Sequence, residues 1–346
     1  MTSRSIFRPV FRFTPSTLIL AIALPVVVVL AMAAGRYAIA PGTVLRILAA
    51  PLLGEGDWSP LQQNVVQGVR LPRVLLAAVV GAGLAGAGAA LQALFRNPLA
   101  EPQLLGVSSG AAFGGVLALL WLGDGWPVVT GALLWGLLSL LAVYWLAGAR
   151  KGQGGGTVLL VLAGIVVNAV FASGVSLIKV MADPQNQLPA IVFWLMGSLA
   201  AADYPRLWLT LPCIGLSLLL LYGMRFHLMA LAVGDADARR LGVPVRRVRV
   251  LALLAVGVIA ASSVAVCGVV GWVGLVVPHL VRMSCGGDHR HFLVNTVLAG
   301  AAYLVIVDTL ARTLTQMEIP LGALTALFGA PLFAFLIRRL GGGAHD

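Results

Sequence analysis

Apolar runs of about 18 to 25 residues recur from one end of this chain to the other. Each is long enough to cross a hydrocarbon core roughly 30 Å thick as an α-helix, which satisfies its own backbone groups where water is absent. Between polar breaks ten such segments are expected, at about 16–34, 74–95, 104–122, 127–148, 157–181, 206–224, 249–270, 272–284, 293–314 and 321–339. The eighth is short for a crossing. Of the 346 residues, 60% are hydrophobic and 10% charged, against roughly half apolar in a soluble domain. The expected fold is all-α and polytopic, a single transmembrane domain over 1–346 with a short tail at 1–15.

The formal net charge of +11 bears on orientation, not on nucleic acid. With the N-terminus inside, sixteen of the twenty-three Lys and Arg residues fall on the cytoplasmic side, Arg4, Arg8, Arg12, Arg150, Lys151, Arg338 and Arg339 among them. The outer side keeps seven basic residues beside seven acids, so it is near neutral. An odd number of spans would put one basic terminus outside. Both termini are therefore expected in the cytoplasm.

Several activities are excluded by what the chain lacks. It has two lysines, Lys151 before Gly152 and Lys179 before Val180, so no G-x-x-x-x-G-K-[ST] phosphate loop exists and the chain is not itself a P-loop ATPase. Mid-span positions, where ion-driven carriers keep their sites, are nearly free of ionisable groups. Asp308 and Arg312 are the exception, four residues apart and expected to form an ion pair near the outer end of the ninth segment. Cys213, Cys267 and Cys285 have no metal-like spacing and read as small packing residues. No metal site and no bound cofactor are expected.

The breaks between segments carry their own signals. "FRNPLAEPQLLGVSSGA" holds Pro98 and Pro102 and reads as a fixed turn, from which Ser108, Ser109 and Gly110 start a helix. "VVGAGLAGAGAALQALF" stacks small residues at four-residue spacing, which lets helix backbones approach in lipid. Residues 35–73 and 182–205 are too long for simple turns, and each is expected to hold a short interfacial helix. In "GWVGLVVPHLVRM", His279 is either a ligand, a pH-sensitive group or a donor to a nearby carbonyl. Asn168 either lines a pathway or bonds to a neighbouring helix.

Residues 234–249, "GDADARRLGVPVRRVR", place seven charges in sixteen positions between apolar runs. Asp235 and Asp237 precede Arg239 and Arg240, the order that complements a helix dipole. Gly242 and Pro244 then stop the helix. A short, capped, charged helix on the cytoplasmic face is expected.

"RLPRVLLAAVVGAGLAGAGAALQALFRNPLAEPQLLGVSSGAAFG", "LPAIVFWLMGSL", "GDADARRLGV", "GWVGLVVPHLVRM" and "EIPLGALTALFGAPLFAFLIRR" resemble the permease family of bacterial ABC importers for iron chelates, heme and cobalamin. The resemblance runs from about residue 40 to 340. It implies a BtuC-like, type II importer fold in the bacterial inner membrane. It implies a homodimer, two cytoplasmic ATPase subunits that use ATP and Mg, and a periplasmic substrate-binding protein. On this resemblance Asp235, Asp237, Arg239, Arg240, Leu241 and Gly242 form the coupling helix that seats in the ATPase. Arg70, Arg73 and Arg312 become candidates for docking the binding protein, and Asn168, Ser173 and Ser176 for lining the pathway. The implied cargo is an iron chelate, ferric siderophore or heme. Cobalamin, molybdate, or an ion-gradient-driven secondary transporter stand as alternatives.

Overall fold

The computed structural model describes residues 14–54, 56–148, 156–284 and 291–341, without the side chains of 53, 156, 157 and 335–341. Arg4, Arg8, Arg12, Arg150, Lys151, Cys285 and Arg290 lie outside the described residues, as do the side chains of Arg338 and Arg339.

Every regular element among the described residues is helical. In chain order they are α1 (Pro15–Ala33), α2 (Pro41–Leu53), α3 (Pro60–Gln63), a π-helical stretch (Asn64–Arg70), α4 (Leu71–Phe95), a 3-10 turn (Pro102–Leu105), α5 (Val107–Leu122), α6 (Trp126–Gly148), α7 (Gly156–Met181) and α8 (Gln187–Met196). There follow α9 (Tyr204–Gly223), α10 (Arg225–Val233), α11 (Asp235–Arg240), α12 (Val245–Cys267), α13 (Val273–Ser284), α14 (Phe292–Thr313) and α15 (Leu321–Gly341). Among the described residues seven helices are long and apolar enough to cross a membrane: α1, the α3–α4 rod, α6, α7, α9, α12 and α14. Helices α5, α13 and α15 are apolar but shorter over their described parts.

The second span begins earlier than the hydropathy implies. It continues a helical rod that starts at Pro60 and passes through the π-helical stretch, whose wider turn is lodged just before Pro72. The interfacial helices expected in 35–73 and 182–205 are α2, α3 and α8. Helix α10 was hidden in the sequence, because its apolar "RFHLMALAV" runs on from the sixth apolar segment.

Helix α4 is the axle. It packs against α9, α12, α13 and α14, and nearly all its residues are buried. Its glycines are why four neighbours fit around one rod. At the α4–α14 crossing a Cβ on Gly300 would lie 2.5 Å from the Gly81 carbonyl oxygen, closer than real Cβ atoms come. Gly83 faces Ile214 of α9 and Ile259 of α12, and Gly88 faces the backbone of Gly274 in α13. Small residues thus supply the contact that the hydrophobic effect does not supply between helices in lipid.

Helix α1 runs parallel to α14. At one end Thr17 donates to Asn295 at 2.7 Å, and at the other Arg312 donates to the carbonyl of Ala34 at 2.7 Å. Helix α12 stops at Gly268 (φ 68°), and residues 268–272 form a non-helical segment before α13. Its neighbour is the end of α8: Ser198 N–H donates to the Cys267 carbonyl and Leu321 N–H to the Gly197 carbonyl, each at 2.9 Å. Three chain segments meet there through main-chain atoms.

Candidate coupling element, outer cluster and translocation face

The helix expected from residues 234–249 is α11. Its first turn carries Asp235 and Asp237 and its last turn Arg239 and Arg240. It ends in a Schellman turn: Gly242 N–H bonds to the Arg239 carbonyl, Val243 N–H bonds to the Ala238 carbonyl, and Gly242 sits at φ 77°. Ala238 is fully buried beneath the helix, so α11 is seated on the protein body. Arg249, one turn into α12, grips both oxygens of Asp235 at 3.1 and 2.9 Å. Arg246 and Arg247 belong to the first turn of α12, which starts at Val245, four residues before the sequence places it. Asp237 and Arg240 pair at 3.3 Å in the open. Leu241 projects from the end of the helix with 73% of its surface exposed.

The outer arginines do not face outward. Arg70, Arg73 and Arg312 are only 6%, 9% and 9% exposed, so in this conformation their guanidinium groups are not a surface for a docking partner. The physical reason is the end of α1. Its last carbonyls have no partners within the helix, and its last turn holds no basic residue. Arg70 donates to Met32 at 2.6 Å, to Ala33 at 3.1 Å and to Tyr37, while Arg312 donates to Ala34 and Ala31. Two arginines from α4's approach and α14 therefore cap the negative end of α1. Arg73 is held by two carboxylates: Asp308 through Nε and Nη2, at 3.0 and 2.9 Å, and Glu318 through Nη1 and Nη2, at 2.7 and 3.0 Å. The expected Asp308–Arg312 pair is present at 3.6 Å as one edge of this larger cluster. The hydrogen bonds from Arg73 hold the Glu318 carboxyl below the usual carboxylate range.

Asn168, Ser173 and Ser176 are all exposed on α7. Ser109 of α5 donates to Asn168, so that side chain both bonds to a neighbouring helix and keeps an open face. Ser173 and Ser176 donate back to the carbonyls of Ala169 and Ala172, at 2.8 and 3.0 Å. Spacings of three and four residues align Asn168, Ala169, Ala172, Ser173 and Ser176 into one strip of small and polar surface. Beside it lies an apolar strip with Val166, Val170 and Leu177.

Two features were not singled out from the sequence. Glu101 accepts a hydrogen bond from the backbone of Trp272, and burial pushes its carboxyl above the ordinary range against that bond. Trp272 itself sits at φ 69°, a left-handed conformation rare for a bulky residue, at the start of α13. The acid between Pro98 and Pro102 was the available signal, since a carboxylate in an otherwise apolar turn requires a donor. His279 is buried, and its Nδ1 has no hydrogen-bond partner among the described residues, so it makes no carbonyl contact through that nitrogen.

This architecture and sequence have relatives. A solved structure of a metal-chelate type ABC transporter in an inward-facing conformation superimposes with a TM-score of 0.83 at 36% identity, covering 93% of this chain and 98% of that one. The molybdate import system permease protein MolB of Haemophilus influenzae is 38% identical over 327 residues, 94% of this chain and 96% of its own length. The hemin transport system permease protein HmuU of Yersinia pestis is 43% identical over 282 residues, 78% of this chain and 82% of its own. The model of the FecCD transport family matches residues 22–339. With its apolar helices, its small-residue axle and relatives that are import permeases, the chain belongs to the FecCD transport family and is a multi-pass permease of the inner membrane.

Proposed function

We propose that this permease forms a homodimer of ten-span subunits with both termini in the cytoplasm and carries an intact iron chelate, a ferric siderophore or heme, inward. Separate ATPase subunits hydrolyse ATP with Mg. The observation that carries the reading is α11: a capped helix clamped to α12 by Asp235–Arg249, with Leu241 left exposed at its tip. A rigid helix fixed to a spanning helix transmits a push, and an exposed leucine beside the Asp237–Arg240 pair suits a groove in a partner protein. The shift between outward and inward openings is then a movement of packed helices around α4, with no chemistry on the cargo.

The strip of α7 through Asn168, Ser173 and Ser176 is assigned to the pathway, where two copies would place small, weakly polar side chains against a bulky ligand. Docking of the binding protein falls to the exposed outer arginines, Arg36 and Arg46, with the buried Arg70, Arg73 and Arg312 holding the platform beneath. Molybdate is the second reading, favoured by the match to MolB along nearly the whole of both chains.

The test is uptake in proteoliposomes containing this permease, its ATPase and its binding protein. Labelled ferric siderophore, heme, cobalamin and molybdate are offered in turn. ATP-dependent accumulation of an iron chelate, insensitive to ionophores, is expected; molybdate uptake alone would replace the cargo assignment, and uptake driven by an ion gradient without the ATPase would end the reading.

A further inference from the structure

Two cavities on the flank of α12 join into one slot. The deeper, of about 190 Å³, lies between α6, α7 and α12 and is walled by Leu140, Leu141, Leu160, Leu253 and Leu254. The second, of about 640 Å³, opens at the cytoplasmic end of the same groove and is rimmed by Arg239, Arg246, Arg247 and Arg249. Tyr144, Leu160, Val250 and Leu253 line both, so the apolar slot and the basic mouth are continuous.

The charge at the mouth is unbalanced. Arg249 is committed to Asp235, and Asp237 to Arg240. Arg239, Arg246 and Arg247 are exposed and have no carboxylate partner among the described residues. The slot above them is flanked by the exposed apolar side chains of Leu141, Tyr144, Leu251 and Leu254, a surface suited to lipid. Tyr144 sits at the junction, where an aromatic ring with a hydroxyl favours the headgroup level.

We propose that this slot is a binding site for an anionic diacyl phospholipid, its phosphate between Arg239, Arg246 and Arg247 and one acyl chain in the groove of α6, α7 and α12. A soluble anion would fill the mouth and leave the apolar slot empty; a zwitterionic lipid would fill the slot and bring no net charge to the arginines. Only a ligand with both parts matches both cavities. The site touches Arg239 of α11 and the first turn of α12, so a lipid bound there braces the coupling element against the spanning helix it must move. The inference rests on the membrane placement of the fold and not on the identity of the cargo.

The experiment is native mass spectrometry of the delipidated full-length permease, titrated with phosphatidylglycerol or with phosphatidylcholine of the same acyl chains. Phosphatidylglycerol is expected to bind about tenfold tighter, each basic residue contributing on the order of a fivefold preference at most. Arg246→Ala with Arg247→Ala should weaken it by up to about tenfold, removing most of the preference over phosphatidylcholine, while Arg246→Lys with Arg247→Lys retains most of it. Leu254→Trp, which fills the slot from an exposed position, should also lower retention, with an unchanged melting temperature as the folding control. Equal retention of the two lipids, or indifference to both the alanine pair and Leu254→Trp, overturns the proposal. Displacement by millimolar glycerol phosphate would reduce the site to a simple anion site, and loss of the lipid when the ATPase is added would make the arginines a protein-docking surface; either result overturns it too.

Discussion

Arg73 and Asp308, 235 residues apart in the chain, meet at 2.9 Å where the start of α4 crosses the end of α14. Asp308 is 1% exposed, and its nearest other cation, Arg312, stands at 3.6 Å with its remaining donors given to α1. Arg73→Leu strands a buried carboxylate and should cost about 3–5 kcal/mol of stability, read as a fall in melting temperature in detergent. Arg73→Leu combined with Asp308→Leu should recover part of that loss, because the stranded charge is gone. Arg73→Lys should rescue poorly, since an ammonium does not span two carboxylates as a guanidinium does.

Glu318 gives the outer cluster a pH signature. Its carboxyl lies below the ordinary range because Arg73 donates to it. For an acid with a depressed folded-state pKa, the stabilisation is complete above the ordinary value of about 4.3 and fades as pH falls through the lower folded value. Melting curves of the wild type should therefore fall below roughly pH 4 more steeply than those of Glu318→Gln, and the two should run parallel at pH 6 to 8. Parallel curves throughout would detach Glu318 from the network's stability.

Gly81 and Gly300 at the α4–α14 crossing leave no room for a Cβ. A Cβ on Gly300 would lie 2.4 Å from the Ala85 Cβ and 2.5 Å from the Gly81 carbonyl oxygen, the second of which is backbone and cannot turn aside. Gly300→Ala should cost about 1–3 kcal/mol, and Gly300→Leu should prevent accumulation in the membrane. Gly215, which faces open space on α9, is the control, and Gly215→Ala should leave expression and melting unchanged.

Stability and coupling should separate at α11. The exposed Asp237–Arg240 pair contributes at most about 1 kcal/mol to the fold. Replacing both by Ala should leave melting nearly unchanged and lower ATP-driven uptake at least roughly tenfold if this helix seats in the ATPase. Leu241→Asp should do the same by detaching the ATPase, scored by copurification. Arg249→Ala acts one step back, freeing α11 from α12, so hydrolysis should continue while uptake falls.

The pathway assignment makes a spatial prediction. Ser173→Trp and Ser176→Trp project into the polar strip of α7 and should block uptake while the subunit folds, whereas Val170→Trp, on the apolar strip, should transport normally. Equal transport by all three would remove α7 from the route.

Much of this molecule is legible in its sequence because a bilayer leaves few choices. The long helices follow from run length, and α11 follows from acids before bases and Gly242 before Pro244. The outer arginines are a different matter. "RLPR" beside an apolar run reads as an interfacial charge, and only the tertiary arrangement brings the bare carbonyls of α1 against Arg70 and Arg312. A hint was present: α1 ends without a basic residue, and Asp308 and Glu318 each needed a cation. The break between the seventh and eighth apolar segments, by contrast, is expected near residue 271, and the structure widens it to 268–272, bounded by the left-handed Gly268 and Trp272.

That interruption has an evolutionary corollary. Where α8, α12 and α15 converge, the ties run from Ser198 N–H to the Cys267 carbonyl and from Leu321 N–H to the Gly197 carbonyl, so peptide groups alone form the knot. A knot tied from peptide groups is indifferent to most side-chain exchange around it. Nearby side chains can be exchanged while those ties stay fastened, and the glycines that admit such close passage, Gly197 and Gly268, are barred from gaining a side chain.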